Sequence, residues 1–211
     1  MRRLTFFVVT LALPSIAAAQ PHAGSLEISG GFVWTGGYAA GSAAANETRN
    51  PSTGSTPLTL FQTDSRVSAA PGANLRAGVH VTRRLIAEAL FEYTRPRLRT
   101  ELSADFEGAA AATADTVVSS YVIGASVVYE LGGGRAVPFV AGGGGQVRQV
   151  PEGGNVTTGG EGHASGGIRY GLTRSLGLRL EGGVSSRSKS AGFEQKRRSV
   201  ITANAGVFWR F

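Results

Sequence analysis

The chain has 211 residues, of which 31 are glycine, 21 are basic, 14 are acidic and none is cysteine. Without cysteine there is neither a disulfide framework nor a thiolate metal site, and a formal charge of +7 falls well short of a nucleic-acid binder. Glycine at about twice the usual ~7% share, with only 17% charged residues and a good supply of Val, Ile, Phe and Tyr, excludes a disordered polyelectrolyte.

Met1-Arg2-Arg3 leads into an apolar run from Leu4 to Leu13, a Pro14-Ser15-Ile16 break and Ala17-Ala18-Ala19. This is the pattern of a secretory signal peptide cleaved after Ala19. Residues 1–19 are expected to be a leader and 20–211 one exported domain. Past Gln20 no apolar run approaches the ~20 residues a membrane helix requires, which leaves a membrane-spanning barrel open.

From Gly24 the chain alternates, with Leu26, Ile28, Phe32 and Trp34 on one face and Glu27, Ser29 and Val33 on the other. Period two is a strand between two different surroundings. After a long Gly/Ala/Ser/Thr-rich stretch a second strand sets Ala73, Leu75, Ala77 and Val79 against Asn74, Arg76 and His80. The turn Thr82-Arg83-Arg84 leads to a third, with Leu85, Ala87, Ala89, Phe91 and Tyr93 opposite Glu88 and Glu92. A second long connection, roughly Arg95 to Asp115, precedes a fourth strand, in which Tyr121, Ile123, Val127 and Tyr129 oppose Ser120, Gly124 and Glu130. The fifth strand follows Gly132-Gly133-Gly134 and is assigned Val137, Phe139, Ala141 and Val147 on its apolar face, leaving Gly142 and Gly144 opposite. The sixth carries Ala164, Ile168 and Tyr170 against His163, Ser165 and Arg169. In the seventh, Leu176, Leu178, Leu180 and Val184 oppose Arg179 and Glu181. The eighth ends with Ile201, Ala203, Val207, Trp209 and Phe211 against Asn204, Gly206 and Arg210.

The connections alternate long and short between eight strands, as they do in transmembrane barrels. Charge is confined to one face. A soluble carrier with its apolar face inward has the same alternation, so the aromatics decide. Trp34, Tyr93 and Tyr121 mark the loop end of the apolar face, and Tyr129, Phe139, Tyr170, Trp209 and Phe211 mark the turn end. Two such girdles are what the two interfaces of a bilayer favour. The expected fold is an all-β, up-and-down, antiparallel eight-stranded barrel with its apolar face toward lipid.

These residues resemble the small outer-membrane β-barrels related to the OmpA transmembrane domain, over the whole chain beyond the leader. The sharpest motif is Asn204, Gly206, Trp209 and Phe211, which resembles the carboxy-terminal signal that the barrel-assembly machinery reads. The resemblance implies a bacterial outer-membrane location. With the chain ending at Phe211, no peptidoglycan-binding domain is expected.

Eight strands enclose a space that side chains fill. Arg76, Arg169, Arg179 and Arg210, facing Glu27, Glu88, Glu92, Glu130 and Glu181, are expected to form a self-neutralising interior network, since an unpaired buried charge costs several kcal/mol. A gated passage through that network is the alternative, with Gly142 and Gly144 leaving room for water. His163-Ala164-Ser165 with Glu181 resembles the His-x-Ser pair and glutamate of eight-stranded lipid A deacylases. All three are placed on the interior face, away from lipid, so catalysis is not expected. Arg95, Arg97 and Arg99, together with Lys196, Arg197 and Arg198, are candidate contacts for lipopolysaccharide phosphates above the upper girdle. Neither a cofactor nor a metal is expected. The expected partners are outer-membrane lipid, lipopolysaccharide and the assembly machinery. Nucleic acid is excluded, and a surface partner is left open.

Overall fold

The computed structural model describes residues 22–46, 59–105, 112–188 and 197–211, so the leader assigned to residues 1–19 and the candidate Lys196 lie outside it. Eleven strands and no helix occur among the described residues. Eight of them close a ring: β1 (Leu26–Thr35), β4 (Ala70–His80), β5 (Leu85–Thr94), β7 (Thr113–Glu130), β8 (Ala136–Pro151), β9 (Thr157–Gly171), β10 (Leu176–Arg187) and β11 (Arg198–Arg210). Each pairs antiparallel with the next, and β11 returns to β1, with Glu27 opposite Arg210 and Thr35 opposite Thr202. The up-and-down eight-stranded barrel expected from the alternation is therefore present.

The three remaining strands lie in segments expected to be irregular loops. β2 (Tyr38–Asn46), β3 (Thr59–Val67) and β6 (Arg97–Asp105) pair in the order β2-β3-β6 and join the upper part of β7. They extend the barrel wall beyond its loop end on one side. Their small and polar residues carry no continuous apolar face, so the period-two signal that marks the barrel strands is missing from them.

Burial follows the alternation. Leu26, Ile28, Phe32, Leu75, Phe91, Ile123, Val127, Leu178, Leu180, Ile201 and Val207 are exposed, while Glu27, Arg76, Glu88, Arg169, Arg179 and Glu181 are buried. Between the two aromatic levels the outer surface carries no charged side chain among the described residues. Tyr93 and Tyr121 meet at 5.0 Å near its loop end, and Trp209 stacks on Phe211 at 5.8 Å at its turn end. A surface of this kind is one that hydrocarbon covers, and closure then removes every strand edge that lipid cannot hydrogen-bond.

One strand is reversed relative to its expected face. Phe139, Ala141 and Val147 of β8 are buried inside, and Val140, Gly142 and Gly144 point out. Phe139 therefore leaves the lower girdle, and Gly142 and Gly144 leave the lumen. The cause is pairing: Glu130 lies opposite Phe139 across β7 and β8, and directly opposed residues share a face. Residues 136–141 are apolar on both sides, so their alternation has no phase of its own. Inside, Phe139 packs with Ile86, Val128 and Ala141.

Two interior glycines make room for rings. A Cβ at Gly177 would overlap the Phe208 ring, and one at Gly167 would meet both Phe139 and the backbone of β10. Gly177→Ala is expected to destabilise the folded barrel by about 1–3 kcal/mol through overpacking, measured as a lowered urea midpoint in lipid vesicles. Leu180→Arg, at a site that is 59% exposed and mid-strand on the outer surface, is expected to cost about 2–4 kcal/mol in the same assay. In a water-facing barrel it would be neutral.

Candidate functional site in the barrel interior

Numbered round the ring, β5 and β10 stand opposite each other, four strands apart in either direction. Arg179 of β10 nevertheless donates from Nη1 to Glu88 of β5 at 2.6 Å, which spans the lumen. Its Nε donates to Glu181 at 2.9 Å, and its guanidinium sits 4.7 Å from the centre of the Phe139 ring. Arg76 joins this middle layer, 3.3 Å from Glu181, 3.5 Å from Glu88 and 3.7 Å from Glu92. A fork of donors presented to several carboxylates is the geometry for which guanidinium is suited.

The layer toward the turn end centres on Arg169. It donates to Glu27, lies 3.2 Å from Glu130, and stacks over Phe208 at 4.4 Å. Arg210 approaches Glu27 at 3.5 Å and shares the Phe208 ring, and His80 Nε2 lies 3.7 Å from Glu27. Toward the loop end a third layer holds Arg187, whose Nε donates to Glu161 at 2.7 Å. All nine residues assigned to the interior network are thus inside, within these layers.

Glu161, Arg187 and His80 were not among the predicted network residues. The parity of β9 and β10 would have reached the first two: Glu161 is two residues from His163, and Arg187 continues the series from Arg179 and Glu181. Arg187 falls in the stretch from Ser185 to Arg198 read as loop, and Glu161, just past the loop that ends at Gly159, has no face assigned. His80 was on the interior face without an assigned partner.

Above the charged layers the interior turns apolar. Val33, Val118, Val122, Val147 and Val200 are buried there, and Tyr38 packs on Val200 and Val67. Gln149 of β8 donates to the Tyr38 hydroxyl at 3.2 Å. β8 stands opposite β1, from which β2 continues, so this bond crosses the mouth. Within the charged region, the cavity between Ser29, Asn74, Arg76 and Arg179 measures about 10 Å³, room for about one water.

The other candidates are placed as follows. Ser165 Oγ donates to Glu181 at 2.6 Å, and Glu181 is held by Arg179 and Arg76. His163 Nε2 is buried with no hydrogen-bond partner. A nucleophilic serine requires a base to take its proton, and here the hydroxyl proton points to an ion-paired carboxylate. Arg95, Arg97 and Arg99 are exposed just beyond Tyr93, with Arg95 3.5 Å from Glu152 and Arg99 2.8 Å from Glu101. Arg197 is exposed, whereas Arg198 is half-buried on the parity of interior Val200. Arg148, on the outer face opposite Tyr121, is a further basic group at this level that the reversed phase of β8 concealed. Of the terminal motif, Trp209 and Phe211 are exposed on the lipid side, and Asn204 accepts a bond from Asn74 at 2.9 Å.

No protein-family model matches the chain, and no curated protein sequence is detectably similar to it. Among solved structures it is similar to the outer membrane protein OprG from Pseudomonas aeruginosa, with a TM-score of 0.59 at 11% identity over 91% of this chain and 98% of that one. It has the fold of the small eight-stranded outer-membrane barrels. Weaker likenesses are to Ail of Yersinia pestis, TM-score 0.44 at 13% identity over 90% of this chain and 99% of that one. Neisserial surface protein A gives a TM-score of 0.48 at 13% identity, over 89% of this chain and 99% of that one.

Arg187 and Glu161 offer a clean double-mutant cycle, because among the described residues each has the other as its ion-pair partner. Arg187→Met alone is expected to cost about 3–5 kcal/mol by leaving a buried carboxylate unpaired, and Arg187→Met with Glu161→Leu to restore most of it. Urea unfolding of both single variants and the double variant checks the expectation.

Proposed function

We propose that the protein is an outer-membrane barrel with a structural or surface-interaction role, without catalysis and without an open passage. The observation that carries this reading is the pair of links between opposite strands, Arg179 to Glu88 and Tyr38 to Gln149, one in the charged layers and one in the apolar layer above. A solute passing along the axis would have to break both. Planar-bilayer recording is expected to give no stepwise conductance above that of a protein-free membrane. Open-state steps from the wild-type barrel would transfer the reading to a narrow channel for small or hydrophobic solutes.

The third reading, a lipid A hydrolase, is opposed by the interior position of Ser165 and His163 and by the bond from Ser165 to Glu181. Lipid A from cells expressing the wild type and Ser165→Ala is expected to have identical mass spectra.

Surface interaction has support in the β2-β3-β6 extension, which lifts exposed polar backbone and side chains beyond the outer girdle. Exposed Arg95, Arg97, Arg99 and Arg148 at its base form a basic belt suited to the phosphates of lipopolysaccharide. Arg97→Ser with Arg99→Ser is expected to reduce the lipopolysaccharide that co-purifies with the barrel. Unchanged bound lipid removes this partner.

A further inference from the structure

The turn end of the barrel is charged differently from the rest of the interior. A recess of about 200 Å³ opens there, and among the residues lining it are six arginines and a single carboxylate, Glu130. In the layers above, Arg76, Arg179 and Arg187 face Glu88, Glu92, Glu181 and Glu161.

The arginines are of two kinds. Arg169 and Arg210 form the floor. Arg169 is 1% exposed and is held by Glu27, Glu130 and Glu88, while Arg210 Nε has no hydrogen-bond acceptor. The rim comes from the short turns. Arg83, Arg84 and Arg174 are exposed and have no ion-pair or hydrogen-bond partner for their side chains among the described residues. Arg135 is fixed by donating from Nε to Gly171 at 3.0 Å and by lying 5.2 Å over Tyr170, which leaves its two Nη groups without a protein partner among those residues.

Two of these turns are built alike. In Val81-Thr82-Arg83-Arg84-Leu85, the Thr82 hydroxyl accepts from the backbone N–H groups of Arg84 at 3.2 Å and Leu85 at 3.0 Å. In Leu172-Thr173-Arg174-Ser175-Leu176, the Thr173 hydroxyl accepts from those of Ser175 at 3.3 Å and Leu176 at 3.0 Å. The backbone closures also match, Val81 to Leu85 at 2.8 Å and Leu172 to Leu176 at 2.9 Å. The same threonine-capped turn thus sets an arginine at two points of one mouth. Rigid turns spare much of the ordering cost that flexible cationic loops would incur on binding.

The geometry points to a binding site at this mouth for the phosphate group of a small solute. A tetrahedral oxyanion offers acceptors in several directions, which suits guanidiniums converging from three turns whose donors lack protein acceptors. Phosphate also occurs on lipid headgroups, but the recess lies on the barrel axis, bounded by Arg169 and Phe208 of the lumen, and favours a free anion. The site goes beyond the structural role proposed above, and its binding is read without any assumption about conductance or surface partners.

The test uses the barrel in nanodiscs of phosphatidylcholine and titrates inorganic phosphate by calorimetry. A variant carrying Arg83→Ser, Arg84→Ser and Arg174→Ser removes exposed side chains only, and circular dichroism verifies that it remains folded. A control variant, Arg66→Ser, removes an exposed arginine at the loop end. The expected result is saturable binding that weakens roughly tenfold or more in the turn variant and is unchanged in the control. Native mass spectrometry in nanodiscs containing phosphatidylglycerol forms the second arm. Phosphatidylglycerol retained by the wild type and lost from the turn variant, with no binding of inorganic phosphate, gives the site to a lipid headgroup and overturns the solute assignment. No binding in either arm, or equal weakening in the turn and control variants, overturns the site itself.

Discussion

A strand in hydrocarbon has no solvent to satisfy its edge, and this constraint organises the molecule. The N–H and C=O groups of β1 find partners on β4 and β11, and the ring closes at eight strands. Eight strands fix a radius at which side chains from opposite walls meet, as Arg179 and Glu88 do at 2.6 Å. The outer face can then be apolar throughout its middle because every charge has been turned inward. The inner face can hold those charges because they are close enough to neutralise one another. Closure, filling and charge pairing are successive consequences of one requirement.

The interior is ordered along the axis. Toward the turns, Arg169 and Arg210 both lie over Phe208 with Glu27 and Glu130 nearby. In the middle Arg76 and Arg179 bridge Glu88, Glu92 and Glu181, and toward the loops the lining becomes valine with the Tyr38 to Gln149 link above. Aromatic rings under the guanidiniums of Arg169, Arg179 and Arg210 add to their pairing with carboxylates. Gly167 and Gly177 are the places where the wall is thinned so that those rings fit.

Much of this was legible in the residues. Alternation with charge on one face identified the barrel strands and the inside of seven of them, because in those segments only one phase kept Arg and Glu away from Leu and Ile. β8 lacked that contrast. Val137, Phe139 and Ala141 on one side and Ala136, Pro138 and Val140 on the other are equally apolar, and only the register against Glu130 chooses. The strands β2, β3 and β6 were illegible for a different reason: their stability comes from pairing across long sequence separations, and neither face is buried against a continuous core. Glu161 and Arg187 were missed because strand ends blur into loops where pairing outlasts the hydrophobic pattern.

The Glu27 cluster joins the first and last strands of the ring. Glu27, on the first strand of the ring, meets Arg169 and Arg210, on β9 and β11, among the last to be threaded. Until the seam forms, Arg210 lacks Glu27, its one carboxylate partner among the described residues. Zipping β1 to β11 supplies hydrogen bonds and charge compensation in one event. Assembly is therefore disposed to be all-or-none: a barrel lacking its final staple gains nothing from being nearly shut, and a closed one resists splaying at the junction of its first and last strands.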